Sequence, residues 1–215
     1  MRKLAYIFCI ALFLCGCASD RVIITNVSYA PADYPAQVFS LKDKRPTLYI
    51  DSVVDKREFT LEKSSIFGGT IKTGRFKEDS TIYYQMDDHL IPGPVNHQHR
   101  YSKTPSKIIR EALETEVRRF GIKIVKDRGL ANGILKASIK KFNIPEVSKI
   151  SFPRINSVPI IKVHLELYQG GFDDIVWEGT IKGSPSFLSQ RLMPYEEGLN
   201  TALSMAIKQW YSYPG

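Results

Sequence analysis

Three stretches in the second half of the chain alternate between apolar and polar residues, as strands do when one face is buried and the other is wet. They fall within residues 134–142, 161–167 and 175–182. Their apolar positions are Leu135, Ala137 and Ile139, then Ile161, Val163, Leu165 and Leu167, and finally Ile175, Trp177 and Ile181. Three consecutive runs of period two predict an antiparallel meander.

Two other segments repeat their apolar residues at the spacing of an α-helix. The first starts at Thr104, which can cap a helix, has Pro105 at the first helical position and ends at Gly121. The second lies near the end of the chain, with Glu196 and Glu197 in its first turn. The two apolar stripes are Ile108, Ile109, Ala112, Leu113, Val117 and Phe120, and then Leu199, Ala202, Leu203, Ala206, Ile207 and Trp210. Each stripe predicts an amphipathic helix that packs on a sheet.

A further strand is predicted upstream at Thr47–Val54, which is rich in β-branched and aromatic residues. Residues 58–103 are harder to interpret, although Phe67-Gly68-Gly69-Thr70 suits a hairpin turn and Thr81-Ile82-Tyr83-Tyr84 suits a short strand. As a whole this region predicts a long insertion, which is typical of a functional or mobile segment. The order of elements predicts a single α+β domain over residues 47–215. We expect a two-layer sandwich, with a largely antiparallel sheet and the two helices packed on one of its faces.

The N-terminus has the composition of a secretory signal, with Arg2 and Lys3 before the apolar run Leu4 to Leu14. This run is shorter than the roughly 20 apolar residues that a membrane-spanning helix needs. It ends in Leu14-Cys15-Gly16-Cys17, which resembles the lipobox of bacterial lipoproteins. The resemblance implies a signal peptide over residues 1–16, lipid attachment at Cys17 and a lipidated tether over 17–46. An ordinary signal peptide and an uncleaved anchor are the alternatives.

Residue 18 is Ala rather than Asp. By resemblance to lipoproteins of Gram-negative bacteria, this implies an outer-membrane anchor with the body in the periplasm; exposure on the cell surface stays open. Cleavage before Cys17 would lower the formal net charge from +8 to +6 and leave no cysteine for a disulfide. The basic residues are dispersed along the chain, so we expect no nucleic-acid partner. Contact with anionic lipid headgroups or peptidoglycan is the alternative to a plain solvated surface.

The sequence contains few candidate catalytic or metal-binding residues. His97 and His99 are spaced to share a zinc or copper ion if they lie on a strand, but the pattern favours a solvated polar loop over a metal site. His164 is expected at the surface. We found no activated nucleophile and no phosphate-binding glycine motif in the sequence. We therefore expect no enzyme and no cofactor.

The lipobox, the strand leading into Asp55-Lys56-Arg57, the helix that closes at Phe120-Gly121, the strand Leu135–Phe142 and the final helix together resemble the YajG-type family of bacterial lipoproteins. That resemblance implies an outer-membrane lipoprotein without enzymatic activity. We expect an accessory component that binds the membrane through its lipid and another envelope protein through residues 58–103 or an exposed sheet edge. The alternative is a lipid-handling auxiliary lipoprotein of an ABC-type transport system, with an acyl chain between helices and sheet.

Overall fold

The structure is a computed structural model that describes residues 21–31, 46–63, 70–75, 80–88, 95–142, 159–169, 174–185 and 195–211. Within these ranges the strands are β1 (Arg21–Thr25), β2 (Thr47–Asp55), β3 (Glu58–Lys63), β4 (Thr70–Arg75), β5 (Ile82–Asp88), β6 (Val95–Tyr101), β7 (Lys123–Ile124), β8 (Gly133–Phe142), β9 (Ile161–Gln169) and β10 (Ile175–Gly183). The helices are α1 (Pro105–Arg119), a short 3-10 turn (Arg128–Leu130) and α2 (Tyr195–Tyr211). Strands and helices together confirm the predicted α+β class.

The largest sheet has five strands in the order β10-β9-β8-β2-β7. The predicted meander is confirmed, because β8, β9 and β10 pair antiparallel. The prediction of a largely antiparallel sheet does not extend to β2, which pairs in parallel with both β8 and β7. The reason is the crossover through α1, which returns the chain to the sheet in the direction in which it left. The sheet is therefore mixed.

Helix α1 begins and ends where its sequence predicts. The Thr104 hydroxyl accepts a hydrogen bond from the Lys107 amide at 3.4 Å, and Pro105 occupies the first turn. At the other end Gly121 has a φ of 76°, a left-handed conformation that glycine adopts without the steric penalty of a side chain. The helix also supports an irregularity in β2, since Arg110 donates to the carbonyl oxygens of Ile50 and Asp51 at 3.1 and 3.0 Å.

Both helices share one hydrophobic core with the five-stranded sheet. The predicted stripes supply it, since five of the six positions in each helix are buried. The core residues of the sheet are Leu48, Ile50, Leu135, Ala137, Ile139, Phe142, Ile161, Val163, Leu165 and Ile181. At Gly183 the backbone of α2 lies so close to β10 that an added Cβ would fall 1.7 Å from the Ala202 oxygen. Glycine at this position therefore sets the distance between α2 and the sheet.

The described part of residues 58–103 forms paired strands. β3 and β4 pair antiparallel, as do β5 and β6, and β1 adds to β6 in parallel. β3 and β4 pair on either side of the predicted hairpin turn, whose residues 67–69 lie outside the described ranges, and the short strand predicted at residues 81–84 overlaps β5. The sequence pattern missed β6, which is rich in polar residues. Among the described residues, no helix combines the length and the apolar character needed to cross a bilayer.

Candidate functional site

The predicted site residues fall in two places. Cys17, the expected point of lipid attachment, lies outside the described residues, and β1 begins four positions after it. His97 and His99 lie in β6, so the predicted loop is wrong and the two positions are alternate residues of a strand. Their register partners in β1 are Arg21 and Ile23. Within the described ranges no group of three or more His, Cys, Asp or Glu side chains could hold a metal ion.

The segment that follows β1 packs against the body. Val27 is only 4% exposed and belongs to the hydrophobic core. The Ser28 amide donates to Asn200 Oδ1 at 3.0 Å, and Ser204 Oγ donates to the Ala30 carbonyl at 3.3 Å. Both partners belong to α2. Residues 27–30 of the expected tether are thus held on α2 by one apolar anchor and by the two hydrogen bonds that follow it.

A buried carboxylate of α1 holds the same segment. Glu116 is 1% exposed, and its Oε1 accepts a hydrogen bond from the Tyr29 hydroxyl. Arg119, one turn further along, donates to Oε1 and Oε2 at 3.0 and 3.3 Å. Burying a carboxylate costs several kcal/mol unless hydrogen bonds and an opposite charge compensate it, and here both are present. Residues 27–30 consequently connect the predicted lipid site to both helices.

A second buried charge closes the end of β2. Arg57 donates from Nη2 to Asp55 Oδ2 at 2.7 Å and from Nε to Oδ1 at 2.8 Å, a two-pronged ion pair whose side chains are 0% and 1% exposed. The same guanidinium donates to the Ser80 carbonyl at 3.0 Å. Tyr101 reaches the neighbouring strand end, where its hydroxyl donates to the Phe142 carbonyl at 3.0 Å. Ser80 and Tyr101 of the 58–103 region are therefore bound to the same end of the large sheet.

A half-buried polar cluster crosses the meander at positions that alternate with the core residues of its strands. The Tyr168 hydroxyl donates to Glu166 Oε2 at 2.6 Å, and Lys136 Nζ lies 4.2 Å from the centre of the Tyr168 ring. His164 lies between Glu166, at 3.4 Å, and the Thr180 hydroxyl, at 3.2 Å. The hydrogen bond from Tyr168 is the main cause that lowers the pKa of Glu166, and the charges of His164 and Lys136 act in the same direction against the effect of burial.

The order hydroxyl, imidazole, carboxylate in this cluster is that of a nucleophilic triad. Its setting does not suit acyl transfer. Thr180 and His164 lie directly opposite each other within paired strands, where the backbone N–H groups are committed to the ladder and are not aimed at a developing oxyanion. The Glu166 carboxylate also divides its oxygens between His164 and Tyr168. The cluster therefore fits a role in ordering the sheet face better than one in covalent chemistry.

No protein-family model and no curated protein matches this sequence. Among solved structures, the chain is similar to protein XCC0632 from Xanthomonas campestris, of family-model DUF330, at 12% identity and a TM-score of 0.45, over 88% of this chain and 89% of that one. It is also similar to PelC from Paraburkholderia phytofirmans, a dodecamer, at 7% identity and a TM-score of 0.40, over 76% and 86%. Lipoprotein GNA1162 from Neisseria meningitidis matches at 7% identity and a TM-score of 0.37, over 79% and 100%. Because the identities and scores are low, these similarities establish neither fold nor function for this chain. The YajG-type resemblance likewise stays a prediction.

Sequence reasoning missed the buried ion pair and the docking of residues 27–30. A usable signal existed for the pair, since Asp55 and Arg57 end an apolar strand two positions apart and so can meet on one side of it. For the docked segment the signal was weak, because Val27 is flanked by polar residues on both sides.

Proposed function

We propose that this protein is a lipid-anchored, non-enzymatic binding component of the bacterial cell envelope, held in the outer membrane with its body in the periplasm. The observation that carries the proposal is the sequence Leu14-Cys15-Gly16-Cys17, with a strand that begins four positions after Cys17. Four extended residues span at most about 13 Å. With the next residues bound to α1 and α2, the body is held near the bilayer surface rather than on a long, free tether.

The partner in this proposal is another envelope protein that binds the 58–103 region. Support comes from the way in which this region is built. Its strands pair mainly with one another. Ser80, which precedes β5, is tied to the body by Arg57, and Tyr101, at the end of β6, is tied to it by Phe142. Strands held at their base present backbone N–H and C=O groups at an edge, and an extended segment of a partner can add to such an edge.

The absence of enzymatic activity is part of the proposal. It is supported by the structural role of the buried carboxylates. Glu116 and Asp55 are buried carboxylates, and each is committed to an arginine by hydrogen bonds. The hydroxyl, imidazole and carboxylate of Thr180, His164 and Glu166 have no backbone N–H groups arranged to stabilise an oxyanion. These groups stabilise structure instead of awaiting a substrate.

The alternative function is a lipid-handling auxiliary protein of an ABC-type system, with an acyl chain taken up between the helices and the sheet of a two-layer sandwich. The close approach of α2 to β10 at Gly183 counts against that route, because a chain could enter there only by separating the two elements. Solvent extraction of the purified protein followed by mass spectrometry distinguishes the two functions. A stoichiometric lipid other than the covalent one favours the alternative.

The anchor and the partner are tested separately. Cys17→Ser should abolish incorporation of labelled palmitate and leave an unprocessed precursor, whereas the matched variant Cys15→Ser should be labelled and processed like the parent protein. Crosslinking in cells followed by purification should return one dominant envelope protein, and deletion of the β3–β4 hairpin should remove it. Normal labelling of Cys17→Ser would refute the anchor, and an unchanged set of crosslinked proteins after the deletion would refute the proposed binding region.

A further inference from the structure

Five lysines from four separate parts of the sequence lie in one row across the large sheet. The register of the meander places Lys182 opposite Lys162, and Lys162 opposite Lys141. Directly after the end of β2, the Lys56 amide donates to the Ile139 carbonyl at 3.0 Å, which continues the row beyond β8. All five side chains are exposed. We call this set the lysine row: Lys56, Lys140, Lys141, Lys162 and Lys182.

A β-bulge concentrates the charge in the middle of the row. The pairing of β8 with β9 shifts between Ile139 and Lys141, so that Lys140 and Lys141 together face the single residue Lys162. Their flanking neighbours Ile139 and Phe142 are fully buried, while both lysines are exposed. The bulge thus turns two consecutive lysines to solvent at a point where a regular strand would bury one of them.

Like charges directly opposite each other on neighbouring strands destabilise a sheet. Adjacent strands are about 4.8 Å apart, which is less than the screening length of about 8 Å at physiological ionic strength, so salt does not remove the repulsion. Within the described residues, none of the five lysines forms an ion pair with a carboxylate. The row is therefore a surface whose positive charge an anionic partner would compensate.

The row lies at the end of the body that is connected to the predicted anchor. Phe142, next to Lys141, accepts the hydrogen bond from the Tyr101 hydroxyl. The following residue, Ser102, donates its amide to the Thr25 carbonyl at 3.0 Å, and Thr25 is the last residue of β1. From the lysine row, a few direct contacts thus lead back to the strand that begins four residues after Cys17.

Strand β1 itself exposes apolar side chains between anchor and body. Val22 is 48% exposed and Ile24 is 62% exposed, and as alternate residues they lie on the same face of the strand. Apolar side chains beside basic ones suit the boundary between headgroups and acyl chains. This end of the body combines both.

We propose that the lysine row docks on the anionic phospholipid headgroups of the bilayer that carries the protein. The inference rests on the proposed lipid anchor at Cys17. A bilayer fits better than a protein partner because the row is broad, spanning three neighbouring strands and the residue that follows β2. Flexible lysine side chains can also follow an array of phosphates without fixed geometry. Each lysine near an anionic surface is expected to strengthen attachment about fivefold.

The test uses the full lipidated protein in two kinds of vesicle, one of phosphatidylcholine alone and one with added phosphatidylglycerol. Amine acylation followed by peptide mass spectrometry measures the modification rate of each lysine. Lys141, Lys162 and Lys182 should react about fivefold more slowly in the phosphatidylglycerol vesicles and recover at high salt, because salt shortens the range of the attraction. Lys123 and Lys126 are exposed near the start of β2, at the opposite end of the sheet, and should react equally in both vesicles.

Failure of the anchor and failure of the row give different results. Flotation of the vesicles in a density gradient shows whether the protein is attached to them. Protein that does not float with phosphatidylcholine vesicles lacks the lipid anchor, and this result would refute both the anchor and the docking surface. Protein that floats but shows equal rates at the lysine row in both vesicles keeps its anchor and overturns the docking surface. Protection by soluble peptidoglycan fragments, without protection by phosphatidylglycerol, would overturn it too, because the row would then bind a cell-wall polymer.

Discussion

The buried ion pair at the end of β2 gives the sharpest test of how the body is held together. In Arg57→Met the guanidinium is lost and the side-chain volume is largely kept. Asp55, with a side chain 1% exposed, would then be buried without its opposite charge, and the carbonyl of Ser80 would lose its donor. We expect the variant to be destabilised by about 3–5 kcal/mol, the usual cost of removing one partner from a buried pair.

That figure is a large part of the 5–15 kcal/mol that typically separates folded from unfolded domains. Urea unfolding followed by circular dichroism measures this loss of stability. The urea concentration at the unfolding midpoint should fall, while the dependence of the free energy of unfolding on urea concentration should stay the same. The double variant Asp55→Ala/Arg57→Met should lose less than the two single variants summed, because no charge is left uncompensated. The control is Lys103→Met, which removes a pair whose side chains are 43% and 46% exposed and should cost less than about 1 kcal/mol. A loss below about 1 kcal/mol in Arg57→Met, or strictly additive losses, would refute this account of the pair.

Two further predictions concern the sheet. Gly183→Ala should destabilise the protein by about 1–3 kcal/mol or more, because the new Cβ would lie 1.7 Å from a backbone oxygen of α2 and force the helix off the sheet. The control is Gly129→Ala, whose Cβ would meet only an ordinary contact at 3.5 Å and should change stability by less than about 0.5 kcal/mol. Equal effects of the two substitutions in thermal unfolding would contradict the close approach of α2 to β10. Since the pKa of Glu166 is lowered in the folded state, mainly by Tyr168, its contribution is present above the ordinary glutamate value of about 4.3 and is lost as the pH falls further. Glu166→Gln should therefore reduce the loss of stability that the parent protein shows on acidification. The difference should be less than about 1 kcal/mol, because the Glu166 side chain is 28% exposed. If the variant and the parent protein lose stability equally between pH 5 and about 2, this role of Glu166 is contradicted.

The sequence predicted those parts of the fold that depend on local, periodic signals. The helix with Thr104 at its start and Gly121 at its end follows from capping and backbone rules, and the meander follows from strict alternation. Parallel pairing of β2 was not predictable in this way. It depends on the crossover through α1, a relation between distant elements that leaves no periodic trace in either strand.

The lysine row could not be predicted from the sequence either, because it also depends on how distant strands pair. Lys56, Lys141, Lys162 and Lys182 looked like dispersed surface charges, and only the register brings them into one row. Strand β6, which contains His97 and His99, was predicted as a loop because it carries many polar residues. Charge clusters built by pairing register require the fold before they can be recognised.

The central claim is that the body is held close to a membrane by a lipid on Cys17. Intact-mass spectrometry of the protein extracted from its own membranes tests this claim most directly. The account predicts a chain that begins at Cys17, lacks residues 1–16 and carries the added mass of acyl chains on its N-terminal peptide. A chain that retains residues 1–16, or one cut elsewhere with an unmodified N-terminal peptide, would contradict it.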